Sequence, residues 1–408
     1  MKTKSSLRLP FFNLPVLICV ALFWTLAICA YASTITVINI NDSGPGSLRQ
    51  ALVDANDGDM IDFAVTGTIA LTNGGLVVDK SFTISGPGPT QLTVSGYVTL
   101  NAGFRVFYVT PNHTVTIEGL TISRGRGGIS NDQATLTVNN CAVIYNSANR
   151  GDDGGGINNR SGTLTIINST VRGNSADGGG GGINSYDGAL MITGSTIADN
   201  FALFGGGGVS SGSGTIEITD STISGNTAGG GDDYIPGSGG GIFAGAGTIS
   251  NSTITGNTAW GDDFKGPGLG GGVYSWGTVA TTGTVLSYNL ATEGDNIYGA
   301  ISSLGYNLCS DVCGLSGPGD LNNTDPLLGP LTDNGGPTFT HALLPPSPAI
   351  NTGDPSFTPP PSYDQRGSPF VRVFNGRIDI GSFEAQPPRR PSPTSRPRPT
   401  PPPRPTPR

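Results

Sequence analysis

A run of glycines ending on an aliphatic residue recurs five times in this chain, with the aliphatic positions at Ile157, Ile183, Val209, Ile242 and Val273. These positions step by 26, 26, 33 and 31 residues. Self-similarity at such a period is the mark of a solenoid, because each unit is too small to bury its own apolar face and must stack on its neighbours. A second string follows the runs: Asn168-Ser169-Thr170-Val171 with Asn174, Gly194-Ser195-Thr196-Ile197 with Asn200, Asp220-Ser221-Thr222-Ile223 with Asn226, and Asn251-Ser252-Thr253-Ile254 with Asn257. Val143 with Asn146 and Leu286 with Asn289 are weaker copies.

Within each unit the aliphatic residues keep one phase: Leu136, Val138 and Val143, then Leu164, Ile166 and Val171, then Leu190, Ile192 and Ile197, then Ile216, Ile218 and Ile223. Alternation such as Thr163-Leu164-Thr165-Ile166 has period two and turns one face inward, so the units read as three short strands with tight turns between them. Stacked, they predict an all-β parallel β-helix with coils about 4.8 Å apart. Asn146, Asn174, Asn200, Asn226, Asn257 and Asn289 then fall at one corner and form a structural amide ladder. Before the repeats, Ser47 can cap a short helix whose apolar stripe is Leu48, Ala51, Leu52 and Ala55. Such a helix would cover the open N-terminal end of the solenoid.

Composition narrows the function. With 65 Gly and 31 Pro, long helices are excluded. Two histidines and four lysines leave little material for imidazole or amine chemistry. Of 21 basic residues, Lys2, Lys4 and Arg8 precede the body and six arginines follow Pro387, leaving 12 against 29 acids in the middle. So acidic a body repels nucleic acid. The basic start, the apolar run from Phe11 to Cys29 and Ala30-Tyr31-Ala32 read as an export signal cleaved after Ala32. An uncleaved anchor and a lipid-modified Cys29 are the rival readings. After cleavage Cys141, Cys309 and Cys313 remain; a Cys309 to Cys313 bridge with a buried Cys141 suits an oxidising compartment.

Two clusters are candidates for chemistry. Asp232-Asp233 and Asp262-Asp263 occupy equivalent insertions of consecutive coils, where four carboxylates would favour a calcium ion, although Gly/Asp loops are commonly solvated turns. Asp152-Asp153 is an earlier pair of the same kind. Tyr234, Trp260, Phe264, Tyr274 and Trp276 gather in the same region and could stack on sugar rings or pack the two long loops.

The GGGI-like and Ile-x-x-Asn strings resemble the repeats of polymorphic outer-membrane proteins and of other right-handed parallel β-helix surface proteins, over residues 33–307. The family's Phe before x-x-Asn is Val, Ile or Leu here. Asp325-Pro326-Leu327-Leu328-Gly329-Pro330-Leu331, Asn334-Gly335-Gly336-Pro337-Thr338, His341-Ala342-Leu343-Leu344, Ser347-Pro348-Ala349-Ile350-Asn351, Asp364-Gln365-Arg366-Gly367 and Asp379-Ile380-Gly381-Ser382-Phe383-Glu384 are similar to the choice-of-anchor Q domain, over residues 308–386. These resemblances imply a right-handed, pectate-lyase-like solenoid closed at its C-terminal end by a capping domain. The expected organisation is signal peptide 1–32, β-helix 33–307, cap 308–386 and a disordered Pro/Arg-rich tail 387–408. The expected role is a secreted or cell-surface, monomeric scaffold that binds a polysaccharide or surface glycan without catalysis. It would meet membrane only through an uncleaved signal or the tail. The alternative is a polysaccharide lyase or glycoside hydrolase of the pectin-degrading type.

Overall fold

The computed structural model describes residues 32–96, 103–230, 236–261 and 266–386. Residues 1–31 of the expected signal, the segment 387–408 and the candidate residues Asp232, Asp233, Tyr234, Asp262, Asp263 and Phe264 lie outside the described residues.

The body is a parallel β-helix. Leu136, Leu164, Leu190 and Ile216 stand in register on successive coils, as do Val138, Ile166, Ile192 and Ile218. Val143, Val171, Ile197, Ile223, Ile254 and Leu286 form a third column. All are buried, so a slip of one residue would turn each column out to solvent. The longer steps leave this register intact, since Val209 still pairs with Ile242 and Ile242 with Val273.

A central coil carries four strands where the sequence predicted three, for example Ile157–Arg160, Thr163–Ile167, Thr170–Arg172 and Ser175–Ala176. The first two join a 17-stranded sheet, the third a ten-stranded sheet, and the last a five-stranded sheet. That last strand is only two residues long, too short for alternation to show in sequence. In each glycine run one residue (Gly154, Gly180, Gly206, Gly239 and Gly270) has φ of 64–68°, and a Cβ on the next glycine would strike backbone of an adjacent coil.

The corner asparagines are buried and bonded end to end. Asn174 Nδ2 donates to Asn200 Oδ1 at 3.0 Å, Asn200 to Asn226 at 2.9 Å, Asn226 to Asn257 at 2.9 Å and Asn257 to Asn289 at 2.8 Å. Each Oδ1 also accepts the backbone N–H of the asparagine before it, as Asn200 Oδ1 does from Asn174. A second row, hidden in the Ser-Thr strings, runs from the backbone N–H of Cys141 to Ser169 Oγ, and so on through Ser195 and Ser221 to Ser252. Cys141 is buried at its head, and burial pushes its thiol up to about 12.

The helix α1 (Leu48–Asp54) begins where Ser47 Oγ accepts the Gln50 N–H, and Leu48, Ala51 and Leu52 pack into the main core. At the other end the outcome corrects the expected cap. Only the first part of 308–386 closes the solenoid: Leu315 enters the main core, Asp320 accepts the Asn307 N–H at 2.9 Å, and Cys309 is bonded to Cys313. The remainder lies along the flank, on the ten-stranded sheet. Thr196 Oγ1 donates to Phe339 O, Thr222 Oγ1 to Gln365 Oε1, and Thr253 Oγ1 accepts from Ser382 N. The physical reason is the row Thr196, Thr222 and Thr253 on that sheet's outer side, whose hydroxyls bond the segment on three successive coils. Val285, Leu308, Leu343, Ala349, Ile380 and Phe383 form a smaller second core beneath it.

The ladder makes a testable demand. Asn200→Ala removes an acceptor used by Asn174 and a donor used by Val171 O and Asn226, and should lower unfolding stability by on the order of 3 kcal/mol. Urea unfolding should show a lower midpoint at unchanged slope. A loss below about 1 kcal/mol would make the ladder incidental to stability.

Candidate functional site

The parallel register converts single outward positions into rows along the solenoid axis. One residue after the aliphatic position, Tyr108, Ser130, Asn158, Asn184, Ser210, Phe243, Tyr274 and Tyr298 stand side by side on successive coils. Two residues further on, Asp132, Arg160 and Tyr186 form a shorter row. At the polar end of this face lies a groove of about 440 Å³, lined by Arg105, Asp152, Asp153, Asn158, Arg160 and Tyr186, among others.

Arg105 is fixed in the groove wall, donating from Nη1 to Gly154 O at 2.9 Å and from Nη2 to Asp153 O at 2.7 Å. Burial brings its guanidinium down to about 10, against the opposing pull of Asp152 and Asp153. Asp152 is paired with Arg126 at 2.9 Å, and Asp153 Oδ1 accepts the Gly179 N–H at 2.7 Å. Arg160 is exposed, and among the described residues no hydrogen bond or ion pair holds its guanidinium. The structure thus brings together an arginine pair and an aspartate pair. Sequence reading flagged the aspartates but missed Arg105, Asn158, Asn184 and Tyr186 as a group. The available signal was the shared offset of Asn158 to Arg160 after Ile157 and of Asn184 to Tyr186 after Ile183.

The aromatic residues divide. Tyr274 is stacked between Phe243, at 5.1 Å between centroids and 1° between planes, and Tyr298, at 5.6 Å and 9°. Both faces of its ring are therefore covered, whereas a sugar platform needs one face free. Trp276 packs over Gly245 and is 53% exposed; Trp260, beside Gly230, is 54% exposed. These two retain surface for a ligand.

The four aspartates read as a calcium set fall outside the described residues. Among the described residues, Cys309, Asp311 and Cys313 are the one group of three close metal-binding side chains, and its two sulfurs are bonded to each other. Calcium takes six to eight oxygen ligands, which that group does not offer, and the groove carboxylates Asp152 and Asp153 already have protein donors.

No family model matches the chain, and no curated protein matches it. Among solved structures it is similar to the pectate lyase Pel9A, at 15% identity over 87% of this chain and 96% of that one, with a TM-score of 0.50. It is also similar to ORF18 of Geobacillus virus E2, at 14% identity over 74% of this chain and 61% of that one, with a TM-score of 0.47. At such identity the likeness to Pel9A is one of fold alone: the two share a parallel β-helix.

A second set of electrostatic perturbations lies away from the groove, under the flank segment. Arg366 is bonded to Asp364 and to Glu384 O, between the rings of Phe370 and Phe383. Arg372 is fully buried, 3.4 Å from Asp220 and 3.8 Å from Glu384, distances too long for good hydrogen bonds. Burial raises Asp220 to about 6; burial, with help from Asp379, raises Glu384 to about 8. His341 is held between Ser224 Oγ and Gly329 O, and burial lowers its proton affinity, which suits a neutral packing residue.

Acids whose folded pKa is raised bind protons more tightly in the folded state, so their contribution is present at low pH and lost on raising it. The windows run from 3.8 to about 6 for Asp220 and from 4.5 to about 8 for Glu384. The melting temperature should fall by several degrees from about pH 5 to about pH 8. Glu384→Gln should flatten the upper part of that slope in a calorimetric pH series; an unchanged slope would remove Glu384 from the account.

Proposed function

We propose that this protein acts on a uronate-bearing polysaccharide in the groove of its outer face, as a lyase of the pectin-degrading type. The observation that carries the reading is Arg105 and Arg160 facing the paired Asp152 and Asp153. Fold likeness to a pectate lyase supports the substrate class. In a β-elimination a base removes the proton on the carbon next to the uronate carboxylate. The glycosidic C–O bond two atoms away breaks, a carbon–carbon double bond forms, and the departing oxygen takes up a proton. Arg160 pairs with the carboxylate and stabilises the negative charge that builds there. Arg105, with its proton held less tightly than usual, is the base, and the main-chain carbonyls of Asp153 and Gly154 keep it aligned.

The second reading is a glycan-binding scaffold without turnover. It is favoured by the two carbonyl bonds of Arg105, which suit a group that holds substrate more than one that takes a proton. Both readings belong to an exported protein with a signal at 1–32, a solenoid at 33–307, and a choice-of-anchor Q-like unit at 308–386 that serves surface attachment with the 387–408 tail.

Mature protein incubated with polygalacturonate and with partly esterified pectin should release unsaturated ends, seen by ultraviolet absorbance. The rate should climb with pH toward about 10 as Arg105 loses its proton. Arg105→Ala should lower it by about 100-fold or more. Retention of the polymer without any product would leave the scaffold reading.

A further inference from the structure

The row Asp132, Arg160 and Tyr186 crosses three successive coils with one residue on each, so neighbours are about 4.8 Å apart along the axis. Its members differ in kind: a carboxylate, a guanidinium and an uncharged ring. Asp132 Oδ2 accepts the Tyr108 hydroxyl at 3.0 Å, which fixes the carboxylate beside Arg160. Tyr186 is 57% exposed and packs on one side against Gly212, where a Cβ would meet its ring. Unlike Tyr274, it has no aromatic neighbour stacked on it among the described residues. Along the floor, Asn184 Nδ2 donates to Asn158 Oδ1 at 3.0 Å. That bond leaves Asn158 Nδ2 as a donor and Asn184 Oδ1 as an acceptor with no protein partner among the described residues. A donor and an acceptor side by side suit the hydroxyls of one sugar.

We propose that this row reads charge along a polysaccharide lying parallel to the solenoid axis: one uronate on Arg160, the next ring against Tyr186, and no carboxylate next to Asp132. Resting on the groove reading above, this names the ligand as a heteropolysaccharide whose uronates are separated by neutral or esterified sugars. A uniformly charged chain would set a carboxylate against Asp132, and like charges this close repel. Asp152 raises a smaller barrier, because Arg126 is paired with it at 2.9 Å. A wholly neutral chain would lose the Arg160 pairing. The aromatic contact adds affinity without regard to charge.

The test is isothermal titration of the full-length mature protein with size-matched pectin fragments of low and of high ester content, and with a neutral polysaccharide. Wild type should bind the partly esterified fragment about tenfold more tightly than the uniformly charged one, and both more tightly than the neutral one. Asp132→Asn should erase the preference by tightening binding of the charged fragment alone. Arg160→Gln should bring the acidic fragments down to the neutral level, and Tyr186→Ala should weaken all three about tenfold. Each substitution is on the surface, and an unchanged melting temperature shows that the fold is intact. Preference of wild type for the uniformly charged chain, or an Asp132→Asn protein that keeps the wild-type order, would overturn the charge-reading row while leaving the groove reading in place. Failure of wild type to bind any of the three would remove the groove reading itself.

Discussion

Every feature of this molecule depends on parallel pairing of coil with coil at fixed register. The backbone bonds alone would allow a slip. It is prevented by buried columns such as Val143 to Leu286 and by the asparagine row, whose amides bond both to each other and to main chain. Polar side chains at the centre of a small coil are costly unless fully bonded, so the row specifies register as strongly as it stabilises. Once register is fixed, variation in the outward residues becomes a surface pattern one coil deep per letter. The groove, the aromatic stack and the threonine flank are three such patterns.

The flank explains why one face stays open. Residues 325–386 are held on the ten-stranded sheet by hydroxyls, by Gln365 and by a buried set of charges including Arg372, Asp220 and Glu384. Taking those charges out of water is expensive and their geometry is imperfect, so the charges give the attachment specificity and a response to pH more than strength, which the second core supplies. The bonds named here between the segment and the coils go to Gly194 through Thr253 and to Gly283, on the side of the third strands. The outer side of the first strands, with Arg160 and Tyr186, is left open to solvent.

Much of this was legible in the sequence, and the reason is the repeat. A single column of aliphatic residues and a single corner asparagine, each seen in coil after coil, announce the parallel β-helix and its ladder without any reference to contacts. Non-repeating information read less well. The two-residue strands carry no alternation. The position of 308–386 depended on Thr196, Thr222 and Thr253 being covered, yet the same Ser-Thr string appears at Thr170, which is only half-buried. The site was split in the same way. Asp152 and Asp153 stood out as a pair, while Arg105 reaches them from a coil too early in the chain for spacing to reveal. Tyr274 was left between platform and packing, because sequence shows that a ring is present and not that two others cover it.

The central claim is that an acidic glycan lies along the outer face of the first strands. Hydrogen–deuterium exchange of the mature protein, with and without a partly esterified oligogalacturonide, addresses it directly. The account expects added protection at Arg105, across Asp152 to Arg160 and at Asn184 to Tyr186, with the flank segment unchanged. Protection confined to the flank or to the loops around Trp260, or none at saturating ligand, would contradict it.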